Sequence, residues 1–320
     1  MSHYSIIIPV YNEEAVICES YRRLKAVMDT LAEPYELIFI NDGSQDKTAQ
    51  IIEALARKDP SIRLLSFSRN FGHQIAITAG MDYARGQAVI IIDADLQDPP
   101  EVIPAMVAKW REGYEVVYGR RLQRKGETRF KKWSARVFYR TLRALTEVDI
   151  PLDTGDFRLM DKKVVEVMRT MREKNRFVRG LVSWVGFRQT AVDYVREERF
   201  AGESKYPLKK MLCFSIDGIT SFSYKPLKLA AYLGFFVSCA SFIYLLISLA
   251  QKIFTDSAAA GWTSLIACIL LLNGVILLML GIIGEYIGRI FEESKNRPLY
   301  ILRQPPELEP GTNEEARWNV

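Results

Sequence analysis

The 320-residue sequence predicts an α/β domain built on a mostly parallel sheet, followed by a hairpin of two membrane helices. Three observations carry this. Apolar runs at YSIIIPV, YELIFIN, IRLLSFS and AVIIID alternate with helical stretches over residues 4–93, the spacing of strand–helix units in a parallel sheet. The runs are apolar throughout rather than alternating, as strands covered on both faces are. Two later stretches, 227–250 and 262–284, carry a single charge between them, Lys228, and each exceeds the ~20 residues needed to cross a bilayer.

Taken in order, the first strand ends at Pro9 and a helical pattern runs from Glu13 to Leu31. The second strand is broken by Asn41, Asp42 and Gly43, and helix returns over 46–58 with Asp46 or Ser44 as N-cap. A third strand at 62–68, a third helix at 74–85 and a fourth strand at 88–93 complete the alternation. The segment 207–222 is amphipathic and reads as lying along a membrane surface. The expected organisation is a soluble domain over 1–206, a juxtamembrane segment over 207–226, and spans at 227–250 and 262–284. A short extracytoplasmic loop at 251–261 joins the spans, and a cytoplasmic tail at 285–320 ends in disorder. The chain ending, QPPELEPGTNEEARWNV, is rich in Pro and Glu, the composition behind that last expectation.

Composition narrows the classes. The net charge of +5 is too small to mark a nucleic-acid binder, but its distribution is uneven. Lys205, Lys209, Lys210, Lys225 and Lys228 precede the spans and Arg289, Lys295, Arg297 and Arg303 follow them, against Lys252 alone in the connector. By the positive-inside rule both termini are cytoplasmic. Cys18, Cys213, Cys239 and Cys268 form no CxxC pair, which argues against a disulfide scaffold or zinc site. The early SIIIPV run is too short, and lacks the basic flank, for a signal peptide.

In a parallel sheet, ligands bind beyond the carboxyl ends of the strands. Three polar turns fall there: Pro9–Glu13, Asn41–Ser44 and Asp93–Asp98. No GxGxxG and no GxxxxGK[ST] occurs, so phosphates have no glycine cradle and must be held by a metal or by basic side chains. Asp93 and Asp95, two apart at a strand end, point to one side and offer oxygen ligands that suit Mg²⁺ or Mn²⁺ bridging to a diphosphate. Solvated turn acids are the bland reading of a lone DxD. The buried strand before it and Gln97, Asp98, Pro99 and Pro100 behind it favour the metal.

The motifs IIIPVYNEE, INDGSQDKT, RNFGHQIAITAGMDYARG, DADLQDPPE, DTGDFRLM, RFAGESKY and LGIIGEYIGRIFEE together resemble the GT-A, family 2 glycosyltransferases that charge a polyprenyl phosphate with a sugar. The likeness spans roughly residues 4–303 and is nearer to the bacterial, hairpin-bearing GtrB type than to the dolichol-phosphate mannosyltransferases. It implies an inverting hexosyltransferase moving a sugar from a nucleotide to undecaprenyl phosphate. UDP-glucose is the first expectation for the donor, then UDP-N-acetylhexosamine or a UDP-pentose, then GDP-mannose. The resemblance places Pro9, Tyr11, Glu13, Ile40, Asp42, Asp93, Ala94 and Arg121 around the nucleotide sugar, with Asp93, Asp95 and Gln97 on the metal. Arg129, Lys131, Arg199 and Lys205 meet acceptor phosphate, and Asp95, Arg121 and Asp156 serve catalysis. Asp156 stands where mannosyltransferase relatives often carry Ser, and TGDF is also a good turn. It also implies a plasma-membrane enzyme with nucleotide sugar, lipid and bilayer as partners. A multi-span flippase, a downstream glycosyltransferase and self-association are the further partners expected.

A lipid phosphate, with a second pKa near ~6, needs little help from a general base. The difficulty is to bring two anions together. The basic set Arg120, Arg121, Arg124, Lys125, Arg129, Lys131, Lys132, Arg136, Arg140 and Arg143 answers it, or else forms a solvated face near anionic lipid. His73 reads as packing or capping a helix, and Trp133 and Trp184 as packing or interfacial residues. A processive synthase would carry QxxRW and more spans; a non-catalytic nucleotide-sugar scaffold would not need the retained acidic and basic set.

Overall fold

The computed structural model describes residues 3–123, 154–196, 225–255 and 261–304. Strands β1 (Tyr4–Val10), β2 (Tyr35–Asn41), β3 (Ile62–Ser66) and β4 (Ala88–Ile91) alternate with helices α1 (Ile17–Thr30), α2 (Thr48–Ala56) and α3 (His73–Tyr83). After a 3-10 turn at Pro100–Val102 come α4 (Ile103–Arg111), β5 (Val116–Gln123) and β6 (Thr154–Asp161). Helices α5 (Lys162–Thr170) and α6 (Val178–Trp184) lead to β7 (Gln189–Val195). Helices α7 (Lys225–Thr255) and α8 (Trp262–Ser294) follow.

The sheet order is β3-β2-β1-β4-β6-β5-β7. β1, β2, β3 and β4 are parallel, as expected, but β6 enters antiparallel between β4 and β5. The sheet is therefore mixed, and TGDF, which also reads as a turn, opens strand β6. Gly119, Arg120 and Arg121 lie inside strand β5, beside a register shift between Tyr118 and Arg120.

Both faces of the sheet are covered, which is why β1, β2 and β4 are mostly apolar. Ile6, Ile8, Leu37 and Phe39 face α1, α2 and α4; Ile7, Ile38 and Ile40 face α3, α5 and α6. α3 lies so close that a Cβ on Gly80 would come within 2.3 Å of Ile7 Cγ2. Lys47, directly before α2, makes no side-chain cap bond, but Asp46, as expected, accepts the first helical amide, that of Thr48, at 3.0 Å, and also that of Glu14 at 3.1 Å, while Ser44 Oγ accepts the Asn12 amide.

α7 and α8 pack on each other, and a Cβ on Gly234 would meet Met279 Cε at 2.9 Å. A small residue where helices cross allows that approach. Outward side chains are apolar: Phe235 and Phe236 are 66% and 69% exposed, Leu271 and Leu277 70% and 69%. Leu271–Ser294 is one helix long and apolar enough to cross a membrane among the described residues. Past α8 the chain turns at Asn296, whose φ is 43°, and runs back onto the soluble domain. Leu299 and Tyr300 are buried in the core that α3 faces, and residue 302 bridges to Phe67 beyond the end of β3. The tail, expected only as a cytoplasmic extension, is thus part of the domain as far as Arg303, whose amide donates to the Ser66 carbonyl at 2.8 Å.

Candidate active site

The three polar turns meet at the carboxyl edge of β1, β2 and β4. The antiparallel register pairs Ile91 with Arg158, so two residues onward from β4's Ile91 and two residues back from β6's Arg158 bring Asp93 beside Asp156. From Asp93 to Pro100 burial alternates. Asp93, Asp95 and Gln97 are part-exposed, while Ala94, Leu96 and Asp98 turn inward. The motif therefore separates its acids, two facing the cleft and Asp98 facing the core. Leu96 takes a positive φ of 59° and Asp95 Oδ1 accepts the Gln97 amide at 3.1 Å, a tight turn that sets this spacing.

Asp98 is fully buried and neutralised by cations. Tyr194 donates its hydroxyl to Asp98, Arg121 Nη2 lies 3.4 Å from both oxygens, and Arg196 Nε is 3.7 Å away. Arg121 Nε also donates to Tyr194 at 3.0 Å. Arg121, expected at the nucleotide sugar, bonds here to Asp98 and Tyr194. Burial pushes the Arg121 guanidinium down, but Asp98 and Tyr194 outweigh it and keep it firmly charged. Arg120 pairs with Asp193 at 2.6 Å on the outer strand.

Asp156, at 5% exposure, is held from several sides. Arg179 grips it with two prongs, Nε to Oδ1 at 2.8 Å and Nη2 to Oδ2 at 3.1 Å. Gln74 Nε2 donates to Oδ2 at 3.3 Å, and His73 Nε2 stands 3.3 Å from the same oxygen and 3.4 Å from Asp93 Oδ1. Burial pushes Asp156 up, but the charge of Arg179 and the bond from His73 reverse that and hold it well below the carboxylate range. Burial likewise pushes His73 down, and Asp93 and Asp156 override it to about 9. Asp93 goes the other way, to about 6: burial dominates, and Asp156, Asp98 and Asp95 crowd it against the pull of His73. The site is thus an alternating lattice of charge, Asp93–His73–Asp156–Arg179.

Asp42 sits at the end of β2, and Oδ1 accepts the Phe71 amide at 2.7 Å while Oδ2 accepts the Gly72 amide at 3.0 Å. Gly72, at φ 103°, makes the turn from which α3 starts. Asp42, expected at the nucleotide, thus also fixes the loop that delivers His73. Burial raises the Asp42 pKa against those two amide bonds. Ile40 is wholly buried beneath α3, and Pro9 and Ala94 are buried as well, so Ile40 presents no side chain to a ligand. Tyr11 and Glu13 are part-exposed on the adjoining turn, where the Glu13 amide donates to Thr48 Oγ1 at 2.9 Å. Arg129, Lys131, Arg199 and Lys205 lie outside the described residues, as do Trp133 and the amphipathic segment 207–222.

Sequence reasoning gave His73 only a packing or capping role and passed over Gln74 and Arg179. Their signal was faint: a His-Gln pair directly after a glycine at a helix start, and one Arg in a short apolar helix.

Among the described residues no three His, Cys, Asp or Glu side chains could by themselves hold a metal. The acids nevertheless fit one that draws its other ligands from a diphosphate. Asp93 Oδ1 is buried with no hydrogen-bond partner, and its neighbours resist its ionisation, a strain that a divalent cation relieves.

A mixed α/β sheet with a carboxylate pair at a central strand end and a paired-helix C-terminus defines a GT-A enzyme carried on a helical hairpin. Residues 5–169 match the model of Glycosyl transferase family 2, and 225–290 match the GtrB C-terminal hairpin. The chain is 63% identical to the uncharacterized glycosyltransferase YkcC of Bacillus subtilis (strain 168), covering 94% of this chain and 93% of that one. It is 44% identical to the bactoprenol glucosyl transferase of Shigella phage SfV (93% and 97%) and 42% identical to the prophage bactoprenol glucosyl transferase homolog of Escherichia coli (strain K12) (94% and 98%). The crystal structure of glucosyl-3-phosphoglycerate synthase from Mycobacterium tuberculosis aligns with a TM-score of 0.47 at 24% identity, over 69% of this chain and 79% of that one. The protein belongs to glycosyl transferase family 2 and is a glycosyltransferase.

Proposed function

We propose that the chain transfers glucose from UDP-glucose to undecaprenyl phosphate at the cytoplasmic face of a bacterial plasma membrane. The observation that carries this is similarity over nearly the whole chain, hairpin included, to relatives named bactoprenol glucosyl transferases. The basic residues flanking the helices place the domain and the tail on one side, by the positive-inside rule. On this reading both helices span, and the charged lipid passes to a multi-span flippase and a downstream glycosyltransferase. Self-association through the hairpin completes the arrangement.

Asp93 and Asp95, with Gln97 beside them, would hold Mg²⁺ or Mn²⁺. When bound, the ion supplies charge neutralisation for the departing nucleoside diphosphate. The rest falls to the chain's own groups. Asp156, kept ionised by Arg179, is too weak a base to need or take a proton at neutral pH. It orients: the acceptor phosphate is already anionic, with a second pKa near ~6. His73, charged at neutral pH, separates Asp93 from Asp156, so two acids share the cleft without mutual repulsion dominating. Arg129, Lys131, Arg199 and Lys205 remain the proposed acceptor-phosphate contacts.

The test is transfer of radiolabelled sugar to undecaprenyl phosphate from UDP-glucose, UDP-N-acetylhexosamine, a UDP-pentose and GDP-mannose, with Mn²⁺ or Mg²⁺. Metal-dependent lipid product from UDP-glucose, lost in Asp95→Ala, is expected. Product from a different donor overturns the choice of sugar, and none from any donor overturns the reaction.

A further inference from the structure

We propose that the cytoplasmic end of α8 and the tail after it position the catalytic site, so that Glu293 and Tyr300 act on Asp156 through two short protein paths. The first path starts where Glu293 Oε1 accepts the Lys174 amide at 2.6 Å and Lys174 Nζ donates to the Arg297 carbonyl. Only five residues on, Arg179 grips Asp156, and between them the Val178 amide donates to Gln74 Oε1 at 2.9 Å. The intervening segment is stiff. Arg176 is buried and donates to the carbonyls of Met168 and Met171, closing the end of α5, while Arg172 Nη1 reaches Asp82 at 2.9 Å.

The second path runs through α3. Tyr300 donates to Asp82 Oδ2 at 2.9 Å and stacks on Phe67 at 5.2 Å between ring centres. Phe67 in turn packs edge-on against Phe71, whose amide Asp42 holds. Asp82 lies near one end of α3, and His73 and Gln74 begin the other. Both paths therefore end on the residues that fix Asp156. A soluble enzyme would need neither. Here the final turn of a long apolar helix and the strand-like return behind it are bolted to the catalytic residues, so the height and tilt of the hairpin bear directly on the cleft.

The transfer arm of the test rests on the reaction proposed above; a second arm does not. Full-length protein in nanodiscs is compared as wild type, Glu293→Ala, Glu293→Gln and Tyr300→Phe. Glu293→Gln keeps an acceptor oxygen for Lys174 and is expected near wild type. Glu293→Ala should lower kcat about tenfold while KM for UDP-glucose stays within about twofold, since the nucleotide turns are untouched. Tyr300→Phe keeps the ring stack, loses only the bond to Asp82, and should lower kcat about threefold. Hydrogen exchange, read without substrate, should quicken in Glu293→Ala both at 174–180 and at 73–76. An unchanged kcat, an effect confined to KM, or unchanged exchange at 73–76 overturns the proposal. If Glu293→Ala does not fold, Tyr300→Phe decides by the same kcat criterion. If wild type transfers no sugar, the proposed reaction fails, and the exchange pattern still decides the coupling.

Discussion

Arg179 and Asp156 form a two-pronged ion pair, at 2.8 and 3.1 Å, between a short helix and the first residues of an inserted antiparallel strand. Breaking one partner of a buried pair leaves an uncompensated charge, which costs about 3–5 kcal/mol. Arg179→Lys keeps the charge but cannot reproduce the planar fork. Arg179→Ala is expected to be destabilised by about that amount, with transfer activity nearly abolished. Arg179→Lys should retain the fold and lose most of kcat. Thermal unfolding and single-turnover transfer on the detergent-solubilised protein check both; a fully active Lys variant would show that the fork is dispensable.

Asp98 supplies a second test, because it separates structural from catalytic acids within one motif. It is wholly buried against Arg121, Tyr194 and Arg196. Asp98→Ala takes the counter-charge from Arg121 and Arg196 and the acceptor from Tyr194, and should cost about 3–5 kcal/mol of stability. Asp95→Ala, part-exposed, should leave the unfolding midpoint nearly unchanged and remove activity. Midpoints of the two variants side by side give the answer, and equal destabilisation would contradict the inward–outward alternation.

Gly43 has a positive φ of 71°, and a Cβ there would sit 2.6 Å from the Arg69 carbonyl carbon. Neither backbone can yield easily. Gly43→Ala is expected to destabilise by about 2–4 kcal/mol, combining left-handed strain with overpacking. The loop it presses against delivers His73, so activity should fall with stability. Denaturant titration of the variant measures the cost.

The acid limb of stability should carry a mark of Asp59. Burial pushes this carboxyl up, but bonds from Ser61, Tyr21 and Lys25 outweigh it and hold it far below the ordinary range. A depressed pKa stabilises the fold fully above the unfolded value of about 3.9 and loses that contribution as pH falls below it. Asp59→Asn should be less stable than wild type at neutral pH, with the gap closing below pH ~4. Unfolding midpoints between acid and neutral pH test the sign, and a gap that widens on acidification would refute it.

By itself the sequence determined the local rules. Continuous apolar runs could bury themselves only in a sheet covered on both faces, and long uncharged helices could satisfy themselves only against each other and lipid. The DxD at a buried strand end had to lie at the ligand edge of a parallel sheet. The hydrophobic period carries no information about which strand pairs with which, or in what sense. Tertiary structure alone decided that β6 enters antiparallel beside β4, and that decision brings Asp156 to Asp93. It also decided that Asp42 and Arg121 bond to internal partners, that Glu293 at the end of α8 meets Lys174, and that Leu299 and Tyr300 return to the domain. Such contacts join residues far apart in the chain, and their energies depend on distances that no local pattern of side chains records.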